Sequence, residues 1–127
     1  MNYKVLIVDD SKLARMAVVK ALKSCYPGGT CVEAGSAEAA LTAMQDSAPD
    51  IALVDFNMPV QDGLHLAAHL RELSPQMPIA IISANHQQEV INRTTALGAK
   101  FLPKPVTEKE LSAFLNEASR GLQGSAS

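Results

Sequence analysis

Apolar positions along this chain follow two alternating patterns. Val5-Leu6-Ile7-Val8, Ile51-Ala52-Leu53-Val54 and Ile79-Ala80-Ile81-Ile82 are short unbroken runs, rich in β-branched residues and closed by polar residues. Runs of that length and composition read as strands buried on both faces of a parallel sheet. Thr30 to Ala34 is a weaker strand and Lys100-Phe101-Leu102 a short fifth one. Between the runs the spacing becomes helical. Ala14, Ala17, Val18, Ala21, Leu22 and Cys25 form one stripe behind a cap at Ser11, before Pro27-Gly28-Gly29 breaks the pattern. Ser36 caps a helix carrying Ala37, Ala40, Leu41 and Met44. Leu66, Ala67, Leu70 and Leu73 line another, and Gln87 to Leu97 is a less apolar helix stopped by Gly98. Thr107 and Glu110 make a capping-box pattern before Leu111, Phe114, Leu115 and Ala118. Strand then helix, repeated through the chain, predicts an α/β domain with a parallel sheet and helices on both faces, a three-layer sandwich.

The third strand organises the rest. Ile51 to Val54 runs into Asp55, then Phe56-Asn57-Met58-Pro59, then Asp62-Gly63. Pro59 biases Met58 away from helix, so a loop must follow the strand. Gly63 can relieve backbone strain where the next helix begins. In a parallel sheet the carboxyl ends of the strands share one edge, where ligands collect. Asp9 and Asp10, Asp55, Ser83 and Lys104 all fall at such ends. Taken singly, Asp10 could be a first-turn charge, Ser83 a cap and Lys104 a solvated lysine. Their convergence on one edge is the informative feature.

Clustered carboxylates raise one another's pKa, and a hard divalent cation is the stable way to keep them ionised. Mg²⁺ fits, because it prefers oxygen ligands, keeps several waters and shares its shell with phosphate. A lysine suits a phosphoryl oxygen and a serine hydroxyl can donate to another. One carboxylate is left to act as acceptor, and aspartyl acyl phosphates are known covalent chemistry. Asp55, on the central strand, takes that part, while the Asp9–Asp10 pair suits the metal.

Composition narrows the partners. Lys+Arg 11 against Asp+Glu 13 gives no basic surplus for nucleic acid or an anionic membrane. Aromatic residues are 4% with no Trp, too few for a base-stacking platform. No apolar run approaches the roughly 20 residues that span a bilayer. Met1 to Lys4 enters a strand directly and does not read as a signal peptide. Cys25 and Cys31 read as small apolar residues of a cytosolic protein rather than a disulfide. His65 and His69 at i, i+4, with Glu72 beside them, could ligate a metal, but read better as a solvated helix flank. One domain is expected over residues 1–121, with a flexible tail at 122–127.

Asp9-Asp10, Asp55-x-x-Met58-Pro59-x-x-Asp62-Gly63, Ser83-Ala84 and Gly98-Ala99-Lys100-x-x-x-Lys104-Pro105 together resemble the receiver domain of two-component response regulators, of the chemotaxis-regulator type. The resemblance covers about Lys4 to Phe114. It implies a flavodoxin-like, doubly wound sheet of five strands in the order 2-1-3-4-5, with five helices. It implies a bacterial, cytoplasmic phosphoprotein, a signalling phosphoacceptor rather than an enzyme. Asp55 would take a phosphoryl group from the phosphohistidine of a sensor histidine kinase or phosphotransfer protein. Mg²⁺, or Mn²⁺, would be held by Asp9, Asp10, Asp55 and the backbone carbonyl of Asn57. Ser83 and Lys104 would bind phosphoryl oxygens, and Ser83 and Phe101 would form the switch. The face of the fourth helix, fifth strand and last helix would act on a protein partner or an attached output domain. Asn57 and Asn85 stand where the family tunes phosphate lifetime, and the Lys104–Pro105 bond is expected to be cis. The departures are mild: Ser83 replaces the commoner Thr, Phe101 lacks a tyrosine hydroxyl, and Ala84 is small enough to leave the site open.

Two rivals fit less well. A flavin-binding module would need a Gly/Ser/Thr-rich phosphate loop after the first strand, where this chain has Asp9-Asp10-Ser11-Lys12. An aspartyl phosphatase would use Asp-x-Asp on the first strand, whereas these acids are adjacent and no cap insertion shapes a substrate pocket. The chain reads either as a stand-alone regulator or as a receiver cut from a longer protein near Leu122.

Overall fold

Ten elements alternate through the chain: β1 (Lys4–Val8), α1 (Lys12–Cys25), β2 (Thr30–Ala34), α2 (Ala37–Ser47), β3 (Ile51–Asp55), α3 (Gly63–Leu73), β4 (Ile79–Ser83), α4 (Gln88–Ala96), β5 (Lys100–Pro103) and α5 (Glu108–Ala126). The computed structural model of the chain describes residues 3–58 and 62–126, the last four of these as backbone only. Pro59 of the expected loop motif lies outside the described residues. The strands form one parallel sheet in the order β2-β1-β3-β4-β5, the flavodoxin-like order expected from the motifs.

The strand side chains alternate between two cores. Leu6, Val8, Ala52, Val54, Ile79 and Ile81 face α2, α3 and α4, where they meet Ala40, Leu66, Leu70 and Val90. Val5, Ile7, Ile51, Leu53, Ala80 and Ile82 face α1 and α5, where they meet Leu22, Leu111, Phe114 and Leu115. Burial on both faces is why β1, β3 and β4 read as unbroken apolar runs rather than as alternation. Each fully buried aliphatic side chain contributes roughly 1.5–3 kcal/mol. The edge strands β2 and β5 are only partly covered, which accounts for their weaker patterns.

The expected caps form. Ser11 Oγ accepts from Ala14 N, and Ser36 Oγ from Ala39 N. Thr107 Oγ1 accepts from Glu110 N at 3.2 Å and donates to the Glu110 carboxylate at 3.0 Å. Gly98 ends α4 with φ +69°, the left-handed conformation that favours glycine.

Three details depart from the sequence reading. Leu73 was expected on the apolar stripe of α3 but is 54% exposed, because the helix ends there and its last turn stands clear of cover. In α1 only Leu22 is fully buried; Ala17 of the expected stripe lies exposed. The segment expected as a tail from residue 122 continues α5 to Ala126, with Leu122 packed against the core shared with α1. Cys25 and Cys31 are free and half-buried, and burial pushes both thiols up.

Candidate functional site

The carboxyl ends of β1, β3 and β4 build one acidic pocket. Asp9 directly follows β1, and its backbone N–H donates to the Ala34 carbonyl at 3.1 Å, so it stays tied to β2. The Asp9 carboxylate accepts from Ser11 N at 2.9 Å. Arg15 reaches back from α1 to donate to the Asp9 carbonyl at 2.5 Å, and pairs with Glu33 at 3.2 Å. Asp9 is therefore buried and held, whereas Asp10, one residue on, is exposed. Asp55, at the end of β3, is 4% exposed. One carboxylate oxygen from each of Asp9, Asp10 and Asp55 lies within 4.8 Å of the others.

Lys104 enters from beyond β5. Its backbone N–H donates to the Ser83 carbonyl at 3.0 Å, and its Nζ stands 2.7 Å from Asp55 Oδ1. The contact is a close ion pair that bonds Lys104 to the buried carboxylate. Burial pushes the Asp55 carboxyl above its ordinary range, Lys104 pulls it back, and Asp9 and Asp10 add further upward pressure. Three acid oxygens gathered at one strand edge, with a single lysine beside them, are a donor set suited to a hard oxygen-seeking dication. The Lys104–Pro105 bond is cis.

Gly63 has a reason other than the strain relief expected of it. A Cβ there would stand 2.2 Å from the Asp55 carbonyl oxygen and 2.8 Å from Phe56 Cα. Gly63 N donates to Phe56 O at 2.8 Å, and Phe56 N to Ile82 O at 2.9 Å. The start of α3 thus lies against the backbone that presents Asp55, a packing only glycine allows.

Ser83, at the end of β4, is buried. Its Oγ accepts from Asn85 N at 2.9 Å and donates to Asn85 O at 3.4 Å, so the hydroxyl is engaged by its own loop. Asn57 is exposed at the start of the loop after β3, and Ala84 is exposed beside the site. Ala84 joins Asp9, Lys104 and the small residues Ala14, Ala17 and Ala21 in lining an open groove of about 520 Å³. Phe101 on β5 is half-buried against the core.

The expected acids, serine and lysine therefore converge, while His65 and His69 stay exposed on α3, away from the one metal-capable acid, histidine or cysteine group among the described residues. Three residues carry contacts that no local pattern announces. Arg15 fixes Asp9. Arg71 donates to the carbonyls of Leu97, Pro75, Met77 and Gly98 at 2.6–3.2 Å, joining the end of α3 to the end of α4. His86 stacks edge-to-face with Phe101, ring centres 5.7 Å apart and planes at 84°.

The sequence matches the family described as Response regulator receiver domain over residues 5–116. It is 36% identical over 118 residues to the positive alginate biosynthesis regulatory protein of Pseudomonas aeruginosa, covering 91% of this chain and 47% of that protein. The chain spans about half the length of the curated relatives it matches. Among solved structures, the chemotaxis protein CheY4 of Vibrio cholerae superposes with a TM-score of 0.83 at 29% identity, over 93% of this chain and 99% of that one. The signal receiver domain of the response regulator NarL from Mycobacterium tuberculosis gives a TM-score of 0.83 at 32% identity, over 94% and 98%. With its 2-1-3-4-5 sheet, its acid trio at the strand ends and this match, the chain belongs to the response regulator receiver domain family of two-component systems.

Proposed function

We propose that Asp55 accepts a phosphoryl group from the phosphohistidine of a sensor histidine kinase or of a phosphotransfer protein. The observation that carries this is Asp55 itself: a buried carboxylate oxygen 2.7 Å from a lysine ammonium, beside two further acids. Asp9, Asp10, Asp55 and the Asn57 backbone carbonyl would hold Mg²⁺ or Mn²⁺, which when bound neutralises the acids and the phosphoryl charge. A carboxylate oxygen of Asp55 attacks phosphorus, the P–N bond of the phosphohistidine breaks, and the imidazole leaves and recovers a proton. Lys104 exchanges its partner from carboxylate to phosphoryl oxygen and so compensates part of the negative charge that the phosphoryl group adds. The chain turns over no separate substrate; it is a signalling phosphoacceptor acting in the cytoplasm. Asn57 and Asn85, flanking the site, set the lifetime of the acyl phosphate.

Incubation with a small phosphodonor and Mg²⁺ should add one phosphoryl group to the intact mass, and a chelator should prevent it. Labelling that persists unchanged in chelator would remove the metal from the scheme. Asp10→Ala should weaken Mg²⁺ binding roughly tenfold or more, as loss of a ligand requires, measured by calorimetric titration. An unchanged titration would place the cation elsewhere. Because Asp10 is exposed and Asp55 buried, little stability is to be gained at Asp10.

The output reading follows from Ser83. Its hydroxyl turns from Asn85 toward the phosphoryl oxygen, and a hydrogen bond to a charged group is worth roughly 1.5–3 kcal/mol. That shifts an existing equilibrium about tenfold to a hundredfold. Phe101 moves with it, and the α4–β5–α5 face changes shape for a protein partner or an attached output domain. No nucleic-acid or membrane contact enters the scheme; among the described residues no helix is long and apolar enough to cross a membrane. Ser83→Ala should accept phosphate at Asp55 yet show much smaller backbone NMR shifts around Phe101 and α4. Shifts as large as the parent's would take the hydroxyl out of the switch.

A further inference from the structure

We infer that His86 is a positioning residue for the switch: its ring holds Phe101 in the half-buried place seen here and ties that place to the engagement of Ser83. The inference rests on the phosphoacceptor reading above and adds to it the part that joins hydroxyl to aromatic ring.

Three hydrogen bonds knit the loop between β4 and α4. Ser83 Oγ accepts from Asn85 N, Ser83 Oγ donates to Asn85 O, and Asn85 Oδ1 accepts from Gln87 N at 2.9 Å. His86 sits between the last two of these residues, so its backbone is placed by the bonds on either side. Its ring meets Phe101 at 84°, a perpendicular arrangement that aromatic pairs favour over a face-to-face stack. Phe101 lies opposite Ile81 in the β4–β5 register and packs on the core beneath α4. At its other end β5 is tied back to Ser83 through Lys104 N. Loop and strand therefore form a closed circuit: Ser83, Asn85, His86, Phe101, Lys104, Ser83. A hydroxyl that swings to a phosphoryl oxygen gives up the bond to Asn85 O, loosens the segment carrying His86, and removes the edge contact from Phe101. Phe101 has no hydroxyl with which to anchor itself, so the imidazole supplies an anchor that the phenyl ring lacks. His86 is exposed and α4 is capped at Gln87 without a side-chain bond, so the loop can move with little loss of core packing.

The test uses the whole chain with isotope-labelled phenylalanine rings. Parent, His86→Ala and His86→Phe are compared by NMR, each with and without Mg²⁺ and a small phosphodonor, with intact mass read in parallel. Without donor, His86→Ala should move the Phe101 ring resonances toward their phosphorylated positions. His86→Phe, which keeps an aromatic edge, should return them to the parent's. With donor, all three proteins should be labelled equally, and the further Phe101 shift in His86→Ala should be at most half the parent's. Parent-like Phe101 resonances in unphosphorylated His86→Ala, or no cross-relaxation between the two rings in the parent, would overturn the inference. Absence of label in all three would instead count against the phosphoacceptor reading, while the donor-free spectra would still decide the role of His86.

Discussion

Asp55→Asn is expected to take up no phosphoryl group under conditions that label the parent fully, and to melt at a higher temperature without metal. The amide keeps the shape of the carboxylate but offers no oxygen anion to phosphorus, so the P–N bond of a donor has nothing to transfer to. The stability effect has a separate cause. Burial, against the pull of Lys104, holds the Asp55 carboxyl above its ordinary range, with Asp9 and Asp10 adding repulsion. A group that binds its proton more tightly folded than unfolded adds its full stability below the ordinary carboxylate pKa, and loses it as pH rises through the folded pKa. At neutral pH the parent therefore carries a cost that the asparagine lacks. Lys104, whose side chain is 35% exposed, can turn to water when its partner becomes neutral. The melting-temperature gap between variant and parent should widen from acid to neutral pH, and Mg²⁺ should narrow it by stabilising the parent more than the variant. Equal melting at every pH would mean that the pocket carries no charge strain; persistent labelling would place the phosphoryl group on another residue.

Gly63→Ala should cost about 1–3 kcal/mol, the range for forcing a methyl group into a packed site, and should also slow labelling of Asp55. The added carbon would lie 2.2 Å from the Asp55 carbonyl oxygen and 2.8 Å from two further backbone atoms. No rotamer change relieves a clash between two backbones, so either α3 shifts outward or the end of β3 is displaced. The second response moves Asp55 relative to Asp9 and Lys104, which is why stability and phosphorylation should fall together. For a domain of this size the drop in melting temperature is roughly 4 °C per kcal/mol. Gly121→Ala is the matched control: nothing stands within 4 Å of its Cβ position, and alanine is the better helix former by about 0.5–1 kcal/mol. If Gly63→Ala melts and labels like the parent, the close approach of α3 to β3 is not a constraint.

Much of this was readable before any coordinates, for specific physical reasons. A strand covered on both faces has no room for polar side chains, so Val5 to Val8 and Ile51 to Val54 announce themselves, and the polar residues that end them mark the open edge. Asp9, Asp10, Asp55, Ser83 and Lys104 were legible because each is the first interruption, or nearly so, after such a run. The contacts that hold them were not. Arg15 and Arg71 act on backbone carbonyls, which carry no sequence signature, and the groups they reach lie up to 27 residues away. His86 sits in a polar loop, where nothing in the pattern distinguishes it from its neighbours. The purpose of Gly63 was misread because turn chemistry and close backbone approach both call for glycine, and only the fold separates them. Leu73 misled because periodicity fixes the direction of a side chain but not whether anything covers it.

The interior divides into two apolar clusters with the sheet between them. Leu66 and Leu115, on opposite sides, share no cluster, so substitutions at such pairs act independently, as distant sites without common partners do. For redesign this is a natural partition. The core beneath α1 and α5 can be repacked without disturbing the packing of α2, α3 and the inner face of α4. Anything meant to alter both at once has to act where they meet, in the strand backbones and the loops at their carboxyl ends.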